Sequence, residues 1–454
     1  MQIAYQTASS PACVRPASVF EAPARNARRQ ECPPPCRNCR PRARRDGRTA
    51  PAGVARSGSR RREPRAPAPA PPLFACLRRD SGLRRQPCKI PAFTLFPIAT
   101  VSGSPRPLRV AINGYGRIGR CFLRALLESP LREALEVVAI NEPAKLDSIA
   151  YLTRYDSTHG RFPGQVALRD GQLEIDGRPI AVSHAQTPEE VDWRALDIDL
   201  LVECSGHYGY RCDLVRFLDA GCKRLLLSHP GHGAEDVDAT VVYGINQHRL
   251  TGAERLVSNA SCTTNAVVPV LDLLQRTIGI EQVLLTTLHS AMNDQPLADG
   301  YHHADLRRTR AALPSIIPVS TGLARGVERL LPDLAGRVQA KAIRVPTLNV
   351  SAIDVVVEFS RDVTAGEINA LLAQAAAGPL RGLLAFSDEA HASIDFNHDA
   401  HSAIVDGSQT RAAGPRLVNL LLWFDNEWGF ANRLVEVAGH WLRAASAKNS
   451  AAQD

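Results

Sequence analysis

The residues with the clearest chemical potential are a cysteine and a histidine in the second half of the chain. Cys262 lies in the polar run SNASCTTN, directly before an apolar pattern that predicts a helix. A cysteine in the first turn of a helix lies near unpaired backbone amides and the positive end of the helix dipole, which stabilise a thiolate. With a nearby cation we expect the pKa of this thiol to fall from ~8.5 to ~6, which would make the sulfur a strong nucleophile at neutral pH.

His289 follows 27 residues later, near the end of the apolar strand pattern VLLTTLHS, and is the best placed base for that sulfur. A nucleophile paired with a base is the arrangement of covalent catalysis. Taken singly, each residue has a structural alternative, because an isolated cysteine is more often a buried small hydrophobe and the chain has 13 histidines. The polar neighbours of Cys262 and its pairing with His289 favour the catalytic interpretation.

A glycine-rich turn precedes this pair in the chain. The segment INGYGRIGR follows a short apolar strand pattern and opens a helical one. In such a turn Gly114 permits the tight bend, Gly116 lets the backbone approach a pyrophosphate, and Gly119 lets the helix pack on the strand. Arg117 and Ile118 complete the motif, and the first amides of the helix face the anion. The segment predicts a dinucleotide-binding site if a second strand and an acidic residue follow it.

That acidic residue is Glu142, which ends the next strand pattern, LEVVAINE, 23 residues after Gly119. At this distance a carboxylate binds a ribose hydroxyl, and because it also repels a 2′-phosphate we expect NAD rather than NADP. As an isolated residue, Glu142 fits an ordinary solvated turn about equally well. Further strand patterns alternate with helical ones, which predicts a parallel, doubly wound sheet with Ser205 at a carboxyl strand end beside the cofactor.

The charges divide the chain into two parts. Residues 1–107 contain 21 Lys or Arg against 5 Asp or Glu, whereas the remaining residues contain 33 against 41. Hydrophobic residues make up 44% of the chain, which suits a globular protein, and no apolar run is long enough for a membrane helix, so we exclude a transmembrane protein. The first part is rich in Arg and Pro and shows no apolar period, and we expect a disordered leader there.

Three functional interpretations of this leader compete. Its arginines suit a nucleic-acid backbone, its acid-poor composition suits a transit segment, and Cys32, Cys36 and Cys39 offer metal ligands. Interleaved aromatic residues are nearly absent, no long amphipathic helix is evident, and a fourth ligand is missing nearby. Nucleic-acid binding is therefore disfavoured and no metal site is expected. We rank ahead of all three the interpretation that residues 1 to about 105 are upstream sequence translated from a start codon assigned too early, with Val101 or Leu95 as alternative starts.

Six ordered motifs resemble a known family. INGYGRIGR is followed by SNASCTTN, LHSAM, SIIPVSTG, IRVPTLNVSAID and WFDNEWGFANR, and the likeness to the glyceraldehyde-3-phosphate dehydrogenase superfamily covers residues 109 to about 442. The segments INE, SHPG, HSAM and DFNHDAHSAIVDGSQTR are most similar to its erythrose-4-phosphate dehydrogenase branch. That branch oxidises D-erythrose 4-phosphate to 4-phosphoerythronate with NAD and feeds pyridoxal phosphate biosynthesis. A phosphorylating glyceraldehyde-3-phosphate dehydrogenase of glycolysis is the alternative.

The resemblance also implies roles for single residues. Cys262 would form a thiohemiacetal with the aldehyde, His289 would activate it, and Asn426 would fix the nicotinamide amide. Met292 stands where phosphorylating members usually have a threonine, so we expect water rather than phosphate to release the acid. The residues implied to bind phosphate groups, which guanidinium, hydroxyl and amide donors suit, are Ser261, Thr263, Arg308, Thr321, Gly322 and Arg344.

The expected fold class is α/β, with two domains after the disordered leader of residues 1–107. A Rossmann NAD-binding domain spans residues 108–260, and an α+β catalytic domain with a mixed sheet spans residues 261–426. The pattern over residues 427–454 predicts a C-terminal helix that completes the first domain. The resemblance further implies a cytoplasmic homotetramer that acts on a sugar phosphate, in which the loop of residues 294–313 lines a neighbouring subunit's cofactor site.

Overall fold

The computed structural model of the chain describes residues 106–302 and 305–451. All but the last two residues of the expected leader lie outside the described residues, and so do residues 452–454 of the expected C-terminal helix. Within the described ranges, no helix combines the length and the apolar composition that a membrane crossing requires.

Seven α-helices lie in the described residues. On the first of them, the apolar residues Phe122, Leu123 and Leu126 are buried in the core, as their helical spacing predicts. The fourth begins at Cys262, where the sequence places a helix start. The helices are α1 (Arg117–Glu128), α2 (Leu146–Arg154), α3 (Arg211–Asp219), α4 (Cys262–Thr277), α5 (Leu323–Leu330), α6 (Ala365–Ala377) and α7 (Trp428–Ala451).

The first eleven strands form a nine-stranded sheet and a separate two-stranded hairpin of the third and fourth strands. They are β1 (Leu108–Asn113), β2 (Leu135–Asn141), β3 (Tyr155–Asp156), β4 (Gly160–Arg161), β5 (Val166–Arg169), β6 (Gln172–Ile175), β7 (Arg178–Ser183), β8 (Leu200–Glu203), β9 (Leu225–Leu227), β10 (Ala239–Thr240) and β11 (Leu256–Ser258).

The order of the large sheet is β10-β11-β9-β8-β1-β2-β7-β6-β5. All pairs from β10 to β7 are parallel, and β6 and β5 add an antiparallel edge. The run β7-β2-β1-β8-β9-β11 has the 3-2-1-4-5-6 order of a Rossmann fold. In that fold the chain leaves β1 and β8 in opposite directions, which opens a crevice at their carboxyl ends. The ends of these two strands are therefore the place to look for a ligand.

The second sheet is mixed. Its strands are β12 (Ile280–Ser290), β13 (Ile317–Val319), β14 (Val338–Val345), β15 (Ser351–Phe359), β16 (Leu384–Ser387), β17 (Ala403–Ala413) and β18 (Leu417–Phe424), in the order β13-β14-β12-β15-β18-β17-β16. The pairs β12–β14 and β16–β17 are parallel and the others are antiparallel. Parallel pairing of β12 with β14 sets His289 opposite Arg344. The register thus places a candidate base beside a candidate anion-binding side chain.

The C-terminal helix α7 returns to the first sheet and packs on α1. Gly252, in the loop before β11, has φ +79°, and a Cβ on it would lie 2.5 Å from the Cα of Ala445. Glycine therefore permits α7 to approach this loop closely. The predicted α/β fold class, with a Rossmann sheet and a second, mixed sheet, is confirmed. We retain the proposed domain boundaries, residues 108–260 and 261–426.

Candidate active site

The glycine-rich turn joins β1 to α1 at the carboxyl edge of the first sheet. Gly114 has φ +83°, a conformation that side chains disfavour, and a Cβ on it would lie 2.5 Å from the Cα of Ser205. A Cβ on Gly119 would lie 2.3 Å from the carbonyl oxygen of Gly114. An added Cβ on Gly116, by contrast, has nothing within 4 Å. A side chain would therefore clash with the protein at Gly114 and Gly119, whereas the space beside Gly116 is open. A pyrophosphate that approaches the backbone needs such a space.

Alanine substitutions in this turn should separate folding from cofactor binding. We expect Gly119→Ala to lower the free energy of unfolding by about 2 kcal/mol or more, because its methyl group overlaps a backbone oxygen. Gly116→Ala should unfold like the wild type but bind NAD more weakly, because its methyl group fills the open space. Urea unfolding and NAD titration of both variants measure the two effects. Undiminished NAD binding by Gly116→Ala would show that the pyrophosphate lies elsewhere.

Glu142 lies directly against this turn. Its Oε2 accepts a hydrogen bond from the Tyr115 amide at 2.8 Å, and its Oε1 accepts one from the Ala144 amide at 3.3 Å. The backbone of the turn therefore fixes the carboxylate that the sequence predicts to bind the ribose.

Glu203, the last residue of β8, is fully buried beside the same turn. It accepts hydrogen bonds from the amide of Ser205 at 2.7 Å, from the hydroxyl of Ser205, and from the side-chain amide of Asn113 at 2.5 Å. Burial raises the pKa of this carboxyl to about 7, although the hydrogen bonds from Ser205 and Asn113 lower it. These bonds join the ends of β1 and β8 across the crevice and fix Ser205 where Gly114 abuts it.

The guanidinium of Arg117 contacts two carboxylates. Its Nε donates to Glu427 at 2.8 Å, its Nη2 donates to the second oxygen of Glu427, and its Nη1 donates to Asp156 at 2.5 Å. Glu427 also lies 3.0 Å from Nε2 of the buried His159. Because two carboxylates already bind this guanidinium, any contribution of Arg117 to a cofactor site would come from its backbone in the first turn of α1, next to the partly buried Ile118.

Cys262 is the first residue of α4, and residues 259–261 connect this helix to β11. Ser261 caps this helix, since its Oγ accepts the Thr264 amide at 3.1 Å, and the same Oγ lies 3.0 Å from Oγ1 of Thr263. Ala260 has φ +56°, which is uncommon for a residue with a side chain. The structure thus places the sulfur at a helix N-terminus, as the sequence predicts, between two hydroxyl-bearing residues in the chain.

His289 brings its imidazole to this sulfur from β12. Nε2 lies 3.6 Å from Sγ of Cys262. Nδ1 lies 2.9 Å from the carbonyl oxygen of Ser290, and because a carbonyl only accepts, Nδ1 is the protonated nitrogen. Nε2 therefore presents its lone pair to the thiol, which is the geometry a base needs to accept the thiol proton.

The expected low pKa of the thiol is wrong for the free protein. Burial raises the pKa of Cys262 to about 11, and the charge of Arg344 and the amides at the start of α4 offset only part of this effect. Burial, together with Arg344, lowers the pKa of His289 to about 4. At neutral pH the pair is therefore a thiol and a neutral imidazole, and a thiolate arises when the proton passes to Nε2.

Two arginines lie near this pair and share one carboxylate. Arg344 lies in register with His289, and its Nη1 is 3.5 Å from the carbonyl oxygen of Ser290. Arg308 donates to Asp294 at 2.8 Å. Burial lowers the pKa of Arg344, while the charge of Asp294 raises it and that of Arg308 lowers it. Arg308 also lies 3.9 Å from Asp305, so two carboxylates accompany its charge. Among the described residues Arg344 forms no ion pair, which leaves its guanidinium suited to an anion.

Thr321 and Gly322 lie at the start of α5. Gly322 is the residue before the first turn, and Oγ1 of Thr321 accepts the Leu323 amide at 3.2 Å. A Cβ on Gly326, one turn later, would lie 3.0 Å from Oγ1 of Thr264, so α5 packs closely on the first turn of α4. The starts of two helices, whose amides favour negative charge, therefore lie in the same region.

Asn426 lies between β18 and α7 and is 9% exposed. Its Oδ1 accepts hydrogen bonds from the hydroxyls of Ser290 and Ser351. Because Ser290 directly follows His289, the structure connects the predicted nicotinamide-binding amide to the predicted base.

Two family descriptions match the chain. The NAD binding domain of glyceraldehyde 3-phosphate dehydrogenase matches residues 108–211, and the C-terminal domain of the same family matches residues 261–426, so that more than half of the chain is covered. The chain belongs to the glyceraldehyde-3-phosphate dehydrogenase family. This family member is an NAD-dependent oxidoreductase, and its domains support dehydrogenase activity on an aldehyde phosphate.

NAD is the cofactor of this dehydrogenase, and the first sheet fits it. The open space at Gly116 leaves room for a pyrophosphate, and the amides at the start of α1 favour its charge. Glu142 lies at the same turn, where a carboxylate can accept ribose hydroxyls. These are features of this chain's own residues, independent of the family match.

Four polar residues near the proposed site were not predicted from the sequence. Ser290, Ser351 and Glu427 lie inside the segments LHSAM, VSAID and DNEWGF that carry the family resemblance, so motif membership was an available signal. Glu203 ends an apolar strand directly before Ser205, and a carboxyl in that position was a second signal.

Proposed function

We propose that this dehydrogenase oxidises D-erythrose 4-phosphate to 4-phosphoerythronate with NAD and so feeds pyridoxal phosphate biosynthesis. The observation that supports the proposal most directly is the sulfur of Cys262, 3.6 Å from the unprotonated nitrogen of His289 and close to the charge of Arg344. A nucleophile, a base and a positive charge for a phosphate are the groups that covalent oxidation of an aldehyde phosphate needs.

In the first step the sulfur adds to the aldehyde carbon. The thiol proton passes to Nε2 of His289 and from there to the former carbonyl oxygen, which gives a neutral thiohemiacetal on Cys262. The bond from Nδ1 to the Ser290 carbonyl keeps the imidazole in the tautomer that can accept this proton. We assign the phosphate of the substrate to the group formed by Ser261, Thr263, Arg308, Thr321, Gly322 and Arg344.

In the second step the thiohemiacetal is oxidised to a thioester. His289 accepts the hydroxyl proton while the hydrogen on the same carbon leaves with its electron pair, and NAD supplies the hydride acceptor when bound. Asn426 holds the nicotinamide amide in this proposal. Water then attacks the thioester, which releases the acid and restores the thiol.

Met292 supports water rather than phosphate as the attacking group. Its side chain is 45% exposed, and its amide donates to Oε1 of Gln295 at 3.1 Å. A thioether is a poor hydrogen-bond partner for phosphate, so this position gives a free phosphate nucleophile no donor.

Initial rates with the purified protein and NAD test the substrate and the final step. We expect a higher kcat/KM with D-erythrose 4-phosphate than with D-glyceraldehyde 3-phosphate, and no requirement for added inorganic phosphate. Strict dependence on phosphate together with preference for the three-carbon substrate would establish the alternative, a phosphorylating glyceraldehyde-3-phosphate dehydrogenase.

We also propose a cytoplasmic homotetramer. The loop of residues 294–313 exposes apolar side chains that favour burial against another subunit: Leu297 (75% exposed), Tyr301 (100%), Leu306 (84%) and Leu313 (54%). Sedimentation equilibrium should give the mass of four chains, and a monomeric mass at micromolar concentration would contradict this assembly.

A further inference from the structure

The carboxamide of Asn426 is held by two serine hydroxyls from neighbouring strands. Oγ of Ser351, the first residue of β15, lies 2.7 Å from Oδ1 of Asn426. Oγ of Ser290, the last residue of β12, lies 3.0 Å from the same oxygen. The oxygen of the amide therefore has two partners on the protein side.

The direction of these bonds follows from the other partner of Ser351. Its Oγ already accepts the backbone N–H of Ser290 at 3.0 Å, so its own proton is free to be donated. Both serines are almost completely buried, with exposures of 0% and 1%, so water is not at hand to accept their hydroxyl protons. Oδ1 of Asn426 is the acceptor that satisfies both protons, and turning the amide over would leave them without one.

The opposite end of the amide is left free. Among the described residues, no hydrogen bond involves Nδ2 of Asn426, whereas Oδ1 has two. An amide whose oxygen is fixed from one side presents its two N–H groups to the other side. Those N–H groups are donors that a carbonyl oxygen can accept.

Ser290 also touches the predicted base. Its carbonyl oxygen accepts the Nδ1–H of His289 at 2.9 Å, while its hydroxyl donates to Asn426. One residue therefore fixes both the tautomer of the base and the orientation of the amide. Ser290 thus holds both His289 and Asn426 in place.

The backbone before Ser351 is strained. Val350 has φ +63°, a conformation that is a genuine outlier for a β-branched residue, and it is buried. The preceding Asn349 holds the segment by donating to Asp425 at 2.8 Å and to Asn397 at 2.9 Å. Strain of this kind persists when the surrounding structure fixes it, and it occurs often at functional sites. Here it sets the start of β15, and with it the hydroxyl of Ser351, beside Asn426.

We propose that Ser290 and Ser351 are positioning residues that orient the carboxamide of Asn426 so that its N–H groups face the nicotinamide. The inference rests on the proposed role of Asn426, and it adds a cause for the orientation of that side chain. Neither serine touches the cofactor in this arrangement. Both act through Asn426.

Comparison of NAD with ADP-ribose tests the proposal, because ADP-ribose lacks the nicotinamide and keeps all other parts of the cofactor. In Ser290→Ala/Ser351→Ala we expect the dissociation constant for NAD to rise about tenfold, while that for ADP-ribose stays within twofold of wild type. Each single variant should show a smaller, selective loss. Isothermal titration calorimetry on the full chain measures both ligands, and the ratio of the two constants within one variant corrects for any general loss of structure.

Two variants complete the test. Ser360→Ala is the matched control, because Ser360 follows β15 at its opposite end and donates its hydroxyl to the carbonyl oxygen of Ile278 at 2.8 Å. It should leave the ratio unchanged. Asn426→Asp keeps an acceptor for both serines but loses the N–H groups, and we expect it to weaken NAD selectively.

The outcomes separate this inference from the proposed function. If Asn426→Asp weakens NAD selectively and the serine variants do not, the positioning role is wrong and the role of Asn426 stands. If Asn426→Asp weakens NAD and ADP-ribose equally, the assigned role of Asn426 is itself wrong. Equal weakening of both ligands in the serine variants would show that the serines only support the fold.

Discussion

Cys262→Ser should lose turnover by at least about 10⁴-fold while its affinity for NAD stays close to that of the wild type. The reaction proposed here needs a sulfur that becomes an anion and later leaves from a thioester, and a serine hydroxyl is a far weaker acid and a far poorer leaving group. NAD affinity should persist because the turn at Gly116, Glu142 and Ser205 lies on the other sheet. NADH formation at 340 nm and calorimetric NAD titration measure the two quantities.

Cys222→Ala is the matched control for this variant. Cys222 is a free thiol buried in the core of the first domain, and burial raises its pKa. Among the described residues, no histidine forms a hydrogen bond with it. Its removal should leave kcat unchanged. Full activity of Cys262→Ser would place the nucleophile elsewhere and overturn the proposed mechanism.

His289→Asn should lower kcat/KM by about 10² to 10⁴-fold at pH 7, the usual contribution of a positioned base. The thiol of Cys262 has a pKa of about 11 in the free protein, so without a base only a minute fraction ionises. Alkylation of Cys262 by iodoacetamide should slow by a similar factor, because it needs the same thiolate. Retention of full activity would remove His289 from the mechanism.

The pH dependence provides a second check on His289. In the wild type the base is unprotonated above its pKa of about 4, and the thiol remains protonated up to about 11, so the rate should be nearly flat between pH 6 and 9. In His289→Asn the reaction depends on free thiolate, whose fraction rises tenfold for each pH unit below the thiol pKa. The ratio of the wild-type rate to the rate of His289→Asn should therefore fall as the pH rises. A ratio that stays constant with pH would mean that the imidazole does not act as the base for the thiol.

Local sterics and local order were the features that the sequence predicted best. The proposed roles of Gly114, Gly116 and Gly119 depend on atoms within a few residues or on the adjoining strand, where the structure has two close contacts and one open space. The position of Cys262 at a helix start follows from the polar run that caps α4. The alternation of strand and helix patterns was sufficient to predict a parallel, doubly wound sheet.

Features that depend on burial or on residues distant in the chain could not be predicted from the sequence. The helix start and a nearby cation favour an acidic thiol, but burial has the larger effect on the pKa of Cys262. Arg117 and Glu427 are 310 residues apart, so their ion pair arises only once α7 packs on α1. The hydroxyls of Ser290 and Ser351 meet Asn426 only because β12, β15 and β18 are neighbours in the second sheet.

The chain passes between the two sheets at two places, and each place holds a residue of the proposed chemistry. The first passage, from β11 to α4, ends at Cys262, and the second, from β18 to α7, contains Asn426. A change that loosens α7 from the loop at Gly252, far from any reacting atom, would shift the amide relative to the sulfur. Such a change should first lower the rate of hydride transfer, because the nicotinamide would no longer be aligned with the carbon bound to the sulfur. This loss should precede any measurable unfolding of the core.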